Sequence, residues 1–367
     1  MAEPLKQLIN ADVVALLATQ LQQQFSSFDK GQFQRQVLAE LDALALTQRI
    51  SLLADAIAGQ LSDDFSKVAP ALLILAENWP AADNNESWQN YSVWPVISYV
   101  GRAGLKTPDL ALPVLAVLTP LFTAEFAIRA YLEQHFEMTY QQMLVWTQSD
   151  NPHLRRLASE GLRPRLPWGK RLDHIPLSKA LVLLDRLKDD DSIYVQKSVA
   201  NHLNDLSKEQ PQRILDLCQR WQTDATPARQ WIIGRALRTL QKQADPAALA
   251  LLGYQTDLPI STVFQLAETE CCIGEAVTLQ LTIRNLSSQP QLLLIDYELW
   301  LMRSHGKLSA KVFFWQRLRL ASLQQISLQK QQPMQQLSTR KLYPGEHSVG
   351  LRINGQVRDR QPFQLRP

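Results

Sequence analysis

The sequence predicts a multidomain α plus β chain: an α-solenoid of HEAT-like helical repeats followed by an immunoglobulin-like β-sandwich. Three observations predict it. Apolar residues recur at three and four from Ala11 to about Leu252, a helix–turn–helix unit repeats within that stretch, and after Gly253 the period falls to two. At 367 residues the chain also exceeds what one core usually organises, so two domains are expected.

In the first part, Val13, Leu16, Leu17 and Leu21 set the helical period. Turn signals at Ser62-Asp-Asp, Thr107-Pro-Asp, Ser149-Asp-Asn-Pro, Asp189-Asp-Asp-Ser and Thr223-Asp-Ala-Thr-Pro cut the pattern into helices of a few turns. VWTQSDNPHLRRLASEGL (145–162), RLKDDDSIYVQKSVANHL (186–203) and RWQTDATPARQWIIGRAL (220–237) share an apolar helix end, an Asp at 150, 191 and 224, and a second helix. The Asp spacings, 41 and 33, lie near the length of HEAT-like pairs, which bury their apolar faces only by stacking.

In the second part, VTLQLTIRN (277–285), LLLIDYELWLM (292–302), KVFFWQRLRL (311–320) and HSVGLRIN (347–354) alternate or are rich in β-branched residues. Ile273-Gly-Glu, Ser304-His-Gly and Tyr343-Pro-Gly break them. About seven strands in this length read as a sandwich without the Cys…Trp…Cys pattern of antibody domains. The expected division is a repeat domain over 1–255 and a sandwich over 259–367, joined by a linker at 253–260. From Ser261 onward thirteen Lys and Arg face seven Asp and Glu, a surplus of six; the rest carries 25 against 28, a deficit of three. Such a basic sandwich suits a polyanionic partner, and equally suits a solvated β-surface.

Composition excludes several classes. Hydrophobic residues at 46% and charged residues at 20% describe a folded chain. The N-terminal MAEPLKQLINADVV has no basic region before an apolar run, so a cytoplasmic location is expected. The most apolar stretch, Leu110 to Phe122, is interrupted by Pro113 and Pro120, and no membrane span is expected. Cys218, Cys271 and Cys272 make no CxxC pair, and the six histidines are scattered, so neither metal nor cofactor is expected.

The candidate working surface runs from Arg155 to Asp205. On the helix starting near Pro152, Leu154, Leu157, Ala158, Gly161 and Leu162 face the core, which leaves Arg156, Glu160 and Arg163 on another stripe. In the next repeat Lys197, Asn201 and Asp205 take the equivalent stripe. Stacking then sets Arg156 beside Lys197 and Glu160 near Asn201 or Asp205. The columns read either as phosphate binders beside carboxylates or as solvated salt bridges worth a few tenths of a kcal/mol, about 0.3–0.5 each. Trp168 stands in RPRLPWGK among Arg163, Arg165, Lys170 and Arg171, placed either to stack on a nucleoside or to pack between repeats. Glu125 follows Thr123, a candidate N-cap, where a carboxylate complements the helix dipole.

The blocks RRLASEGLRPRLPWGKRL (155–172) and KSVANHLNDLSKEQP (197–211), with LLIDYELWLMRSHGKLSAKVFFW (293–315) and STRKLYPGEHSVGLRING (338–355), make the chain resemble the AlkC branch of the AlkC/AlkD alkylpurine DNA glycosylases. Gln196 departs from the pattern, standing where Arg is expected, and the first hundred residues match loosely. The resemblance implies hydrolysis of the N-glycosidic bond of cationic N3-alkylated bases, 3-methyladenine and 3-methylcytosine, in double-stranded DNA, without full base flipping. It implies catalytic roles for Glu125, Glu160, Asp205 and Trp168, and DNA contacts for Arg156, Arg163, Arg165, Lys170, Lys197 and Asn201. The sandwich would serve as an accessory DNA-binding domain. No lysine sits in an evidently apolar setting for Schiff-base chemistry, so a monofunctional, monomeric enzyme is expected. The competing expectation is a non-catalytic HEAT-repeat scaffold that binds DNA or protein.

Overall fold

The computed structural model describes residues 5–80, 91–337 and 341–367. Its helices are α1 (Ala11–Gln24), α2 (Lys30–Leu38), α3 (Leu46–Ala58), α4 (Phe65–Glu77), α5 (Trp94–Ala103), α6 (Pro108–Leu118), α7 (Ile128–Gln134), α8 (Phe136–Trp146), α9 (Pro152–Gly161), α10 (Leu177–Arg186), α11 (Ile193–Ser207), α12 (Pro211–Gln222), α13 (Pro227–Ala236), α14 (Arg238–Lys242) and α15 (Pro246–Leu251). Asparagine and aspartate start many of them. Asn10, Asp29, Asp64, Asn151 and Asp245 each accept a main-chain N–H of the first turn. No helix among the described residues is long and apolar enough to cross a membrane.

The chain forms two compact units. One holds residues 1–206 and 224–232; the other holds 207–223 and 233–367. In the first unit, helices stack as pairs over Leu17, Leu53, Leu72, Leu115, Leu132, Leu157, Leu183 and Val199, all fully buried. The Asp189–Asp191 turn joins repeats in a way that the apolar period does not anticipate. Arg155 on α9 reaches Asp190 at 2.7 Å and Asp191 at 2.9 Å, while Arg229 on α13 donates through Nε to Asp189 at 2.7 Å. The second helices on both sides therefore grip one acidic turn. Gln196, where Arg was expected, is buried and donates to the Asp190 carbonyl at 2.8 Å, tying the same turn to α11.

The second unit contains the sandwich: β1 (Ile260–Leu266), β2 (Glu270–Cys272), β3 (Ala276–Asn285), β4 (Gln291–Met302), β5 (Leu308–Leu320), β6 (Gln325–Pro333), β7 (Gly345–Ile353) and β8 (Gln356–Arg366). One sheet runs β1-β3-β6 and the other β2-β8-β7-β4-β5. Val277, Leu279, Leu281 and Ile283 of β3 face Leu293, Ile295, Leu299, Val349 and Leu351 across the core. Among the described residues there are eight strands, where about seven are expected. The strand β6 is polar, QISLQKQQP, and gains its place from pairing with β3 along its length rather than from an apolar run. The outer face of the larger sheet is covered within the same unit, since Leu249, Tyr254 and Leu294 form a small core and Arg352 Nη1 donates to the Lys242 carbonyl at 3.1 Å.

Candidate functional site

The site lies wholly in the first unit, where α9 sits between the turn leading into α7 and the helix α11. Gly161 permits the approach on one side, for a Cβ there would stand 2.6 Å from Ile128 Cγ2. On the other side small residues meet: Ser198 Oγ lies 2.9 Å from Ser159 Oγ and 2.5 Å from Glu160 Oε2. His202, fully buried, holds the same seam through Nδ1, 3.0 Å from the Ser159 carbonyl. Burial pushes the imidazole down to about 3, so it stays neutral and adds no charge near neutral pH.

With α9 clasped on both sides, the expected surface stripe is an interior one. Glu125, Glu160, Arg163 and Asp205 are all buried. Their groups alternate in sign: Glu125 pairs with Arg156, Arg156 lies 3.6 Å from Glu160, Glu160 pairs with Arg163, and Arg163 Nη2 reaches Asp205 at 2.8 Å. Thr123 Oγ1 donates to Glu125 at 3.0 Å and accepts from Arg156 Nη1 at 2.6 Å. Three carboxylates meet the guanidinium groups of Arg156 and Arg163, and a third buried guanidinium, that of Arg129, lies within electrostatic reach of Glu125 and Glu160. Burial, only partly offset by Arg156, raises the Glu125 carboxyl above its ordinary value. Glu125 is thus a counter-ion held in a turn before α7 and not a helix-dipole cap.

The columns expected from the loop aspartates are displaced by almost a turn. Arg156 faces Tyr194, its guanidinium carbon 5.2 Å from the ring centroid, and does not pair with Lys197, which is exposed. Glu160 meets Ser198, 38 residues on, where Asn201 or Asp205, 41 or 45 residues on, is expected. The reason is that a three-Asp turn sets the loop alignment while the small side chains of Ser159 and Ser198 set the helix contact. Glu160 and Asp205 do come together, but through Arg163 between them. Arg163 and Arg156, read in the sequence as phosphate contacts, turn inward onto carboxylates.

Of the two placements open to it, Trp168 adopts the exposed one. It is 70% exposed and adopts φ 62°, so it is not packed between repeats. Its loop leaves α9 at Arg163 and is anchored on both sides by buried Leu166 and Leu172. Arg165 and Lys170 of the same loop are exposed, Lys170 pairing with Glu133 at 2.8 Å. Asn201 is half-buried on α11. A non-glycine residue in the left-handed region costs about 1 kcal/mol or more. Trp168→Gly is therefore expected to leave the thermal midpoint unchanged or slightly raised, while removing whatever the indole does; a fall in the midpoint would show the indole to be a packing residue.

Sequence reasoning missed Tyr194, Ser198 and His202. Tyr194 is partly exposed beside Arg156 and edge-on to His153, with ring centroids 5.5 Å apart. The signal available was the small-residue match of Ser159 with Ser198, which fixes the helix register.

Comparison with known proteins bears on this geometry. Residues 122–240 match the family described as "DNA alkylation repair enzyme", and residues 261–367 match "Uncharacterised protein YhaZ, C-terminal Ig-like domain". The chain is 32% identical over 369 residues to protein YhaZ of Bacillus subtilis (strain 168), covering 98% of this chain and 99% of that one. The solved structure of the Pseudomonas fluorescens alkylpurine DNA glycosylase AlkC, bound to DNA containing an abasic site analog, superposes with a TM-score of 0.92 at 32% identity, over 99% of this chain and 100% of that chain.

Proposed function

This chain belongs to the AlkC-type family of DNA alkylation repair enzymes, and on that premise we propose that it is an alkylpurine DNA glycosylase, monofunctional and acting on cationic N3-alkylated bases. The observation that carries the proposal is the buried chain of Glu125, Glu160 and Asp205, held through Arg156 and Arg163, beside a loop that exposes Trp168. A base alkylated at N3 is already cationic, so it departs neutral and needs no general acid. What the transition state needs is negative charge near the sugar as it becomes oxocarbenium-like, and a carboxylate to orient water. Glu125, Glu160 and Asp205 supply both. Their arginines hold them in place through the ion pairs that link the three. Trp168 offers a face to the cationic base, worth about 0.5–2 kcal/mol.

Binding of phosphates then falls chiefly to Arg165, Lys170, Lys197 and Asn201, with Arg156 and Arg163 acting through the carboxylates. Incubating methylated duplex DNA with stoichiometric protein should release free 3-methyladenine and 3-methylcytosine; release of neither refutes the reading. The proposal extends to recognition without full flipping: a 2-aminopurine beside the lesion should stay quenched on binding, and strong brightening would contradict it.

The Glu125 carboxyl gives a pH signature. Since its folded value lies above the ordinary 4.5, base release is expected to fall with acidification at a pH above that of a free glutamate. The same sign makes ionising Glu125 cost folding stability as pH rises through that window. In Glu125→Gln the acidic limb of kcat/KM should vanish, leaving a low and flatter profile; an unmoved limb would assign it elsewhere.

We also propose that the basic sandwich is an accessory DNA-binding domain. Lys307, Lys311 and Arg319 are exposed along or beside β5, an edge strand. Replacing all three by Ala should reduce the slope of log K against log salt by about 0.9 for each phosphate that is no longer neutralised. An unchanged slope would leave the sandwich a role in stability alone.

A further inference from the structure

We propose that Arg129 is the positioning residue for Trp168: one buried guanidinium staples both feet of the loop that presents the indole. Arg129 lies on α7 and is 2% exposed. Its Nη1 donates to the carbonyls of Gly161 at 2.9 Å and Arg163 at 2.8 Å. Its Nε donates to the carbonyl of Lys170 at 2.7 Å, and Nη2 donates to the same oxygen. Arg163 and Lys170 flank the segment that carries Trp168, whose own turn is closed by Gly169 N–H to the Leu166 carbonyl at 3.0 Å and Leu172 N–H to the Pro164 carbonyl at 3.4 Å.

The chemistry of these bonds is unlike that of Arg163. Arg163 spends its donors on carboxylates, as a buried cation normally does, whereas Arg129 directs its Nε, Nη1 and Nη2 donors to main-chain oxygens. Capping α9 accounts for the bond to Gly161 but not for the two on Lys170, nine residues further on. A rigid planar fork is what can hold two chain segments at a fixed separation, and lysine, a compact head on a flexible stem, cannot reproduce it. The bonds fix the feet while Leu166 and Leu172 fill the interior, so the strained tip stays pointed outward.

This inference rests on the glycosylase reading for its kinetic arm only. Single-turnover base release is measured for the wild type, Arg129→Lys, Trp168→Ala and the double variant. If Arg129 acts through Trp168, each single variant slows release by about tenfold and the double variant is no slower than Trp168→Ala. Independent, multiplying losses would overturn it. Trypsin supplies an arm that needs no activity: cleavage after Arg165 and Lys170 should accelerate at least about tenfold in Arg129→Lys, with other sites unaffected. Unchanged local cleavage overturns the proposal, whereas a silent wild type with accelerated local cleavage sinks the glycosylase reading and leaves the staple. If Arg129→Lys does not fold, Arg129→Gln, which keeps two N–H donors without charge, runs through the same cycle.

Discussion

Glu160→Gln is expected to slow release of 3-methyladenine by about 10²- to 10³-fold, the usual loss when one preorganised electrostatic group is removed, while DNA affinity is kept. Glu160 is the centre of the buried chain: it accepts from Ser198 at 2.5 Å, pairs with Arg163, and lies 3.6 Å from Arg156. Substitution by an amide preserves volume and one acceptor but removes the charge that two guanidinium groups share. The network loses one negative charge, so the field facing the substrate becomes less negative before any shape changes. Measuring DNA affinity and the thermal midpoint together with the rate separates the two readings of the repeat array. A scaffold has no chemistry to lose, so wild-type and variant rates both equal to spontaneous depurination would favour it.

The largest effect on stability is expected at Arg163. Replacing it by Met leaves Glu160 and Asp205 buried with no cation between them, and breaking a buried pair by removing one partner costs about 3–5 kcal/mol. For a unit of this size that corresponds to a midpoint lower by roughly 6–20 °C. Arg165→Ala, exposed on the neighbouring loop, is the control and should stay within about 0.5 kcal/mol of wild type. An Arg163→Met midpoint no lower than that of the control would mean that the carboxylates are hydrated and the network is a surface one.

How much of this was legible in the sequence differs from residue to residue. Helical period, the Asp-marked turns and the switch to period two were enough for a repeat array followed by a sandwich, because amphipathic patterning is local and each element carries its own. Polar β6 escaped, since an edge strand needs only a partner. Glu125, Glu160 and Asp205 could be singled out as carboxylates on candidate faces, with the family resemblance supplying their roles. Their arrangement could not. A one-face rule treats α9 as a surface helix, but stacking covers it on two sides, and the stripe that would have been solvated becomes the most polar part of the interior. Trp168 was ambiguous for the opposite reason: tryptophan is usually buried, and only a loop held by Leu166, Leu172 and Arg129 keeps it exposed at φ 62°.

By itself, then, the sequence determined which elements form, their order and the residue types available for charge and stacking, all of which depend on neighbours along the chain. Tertiary structure alone decided who meets whom. The small side chains of Ser159 and Ser198 let α9 meet α11 there, while Gly161 lets α9 approach Ile128 on its other side; Arg156 then faces Tyr194 instead of Lys197, and Arg163 joins Glu160 to Asp205. Electrostatic energy depends on distance and on exclusion of water, and neither is a property of any segment read alone.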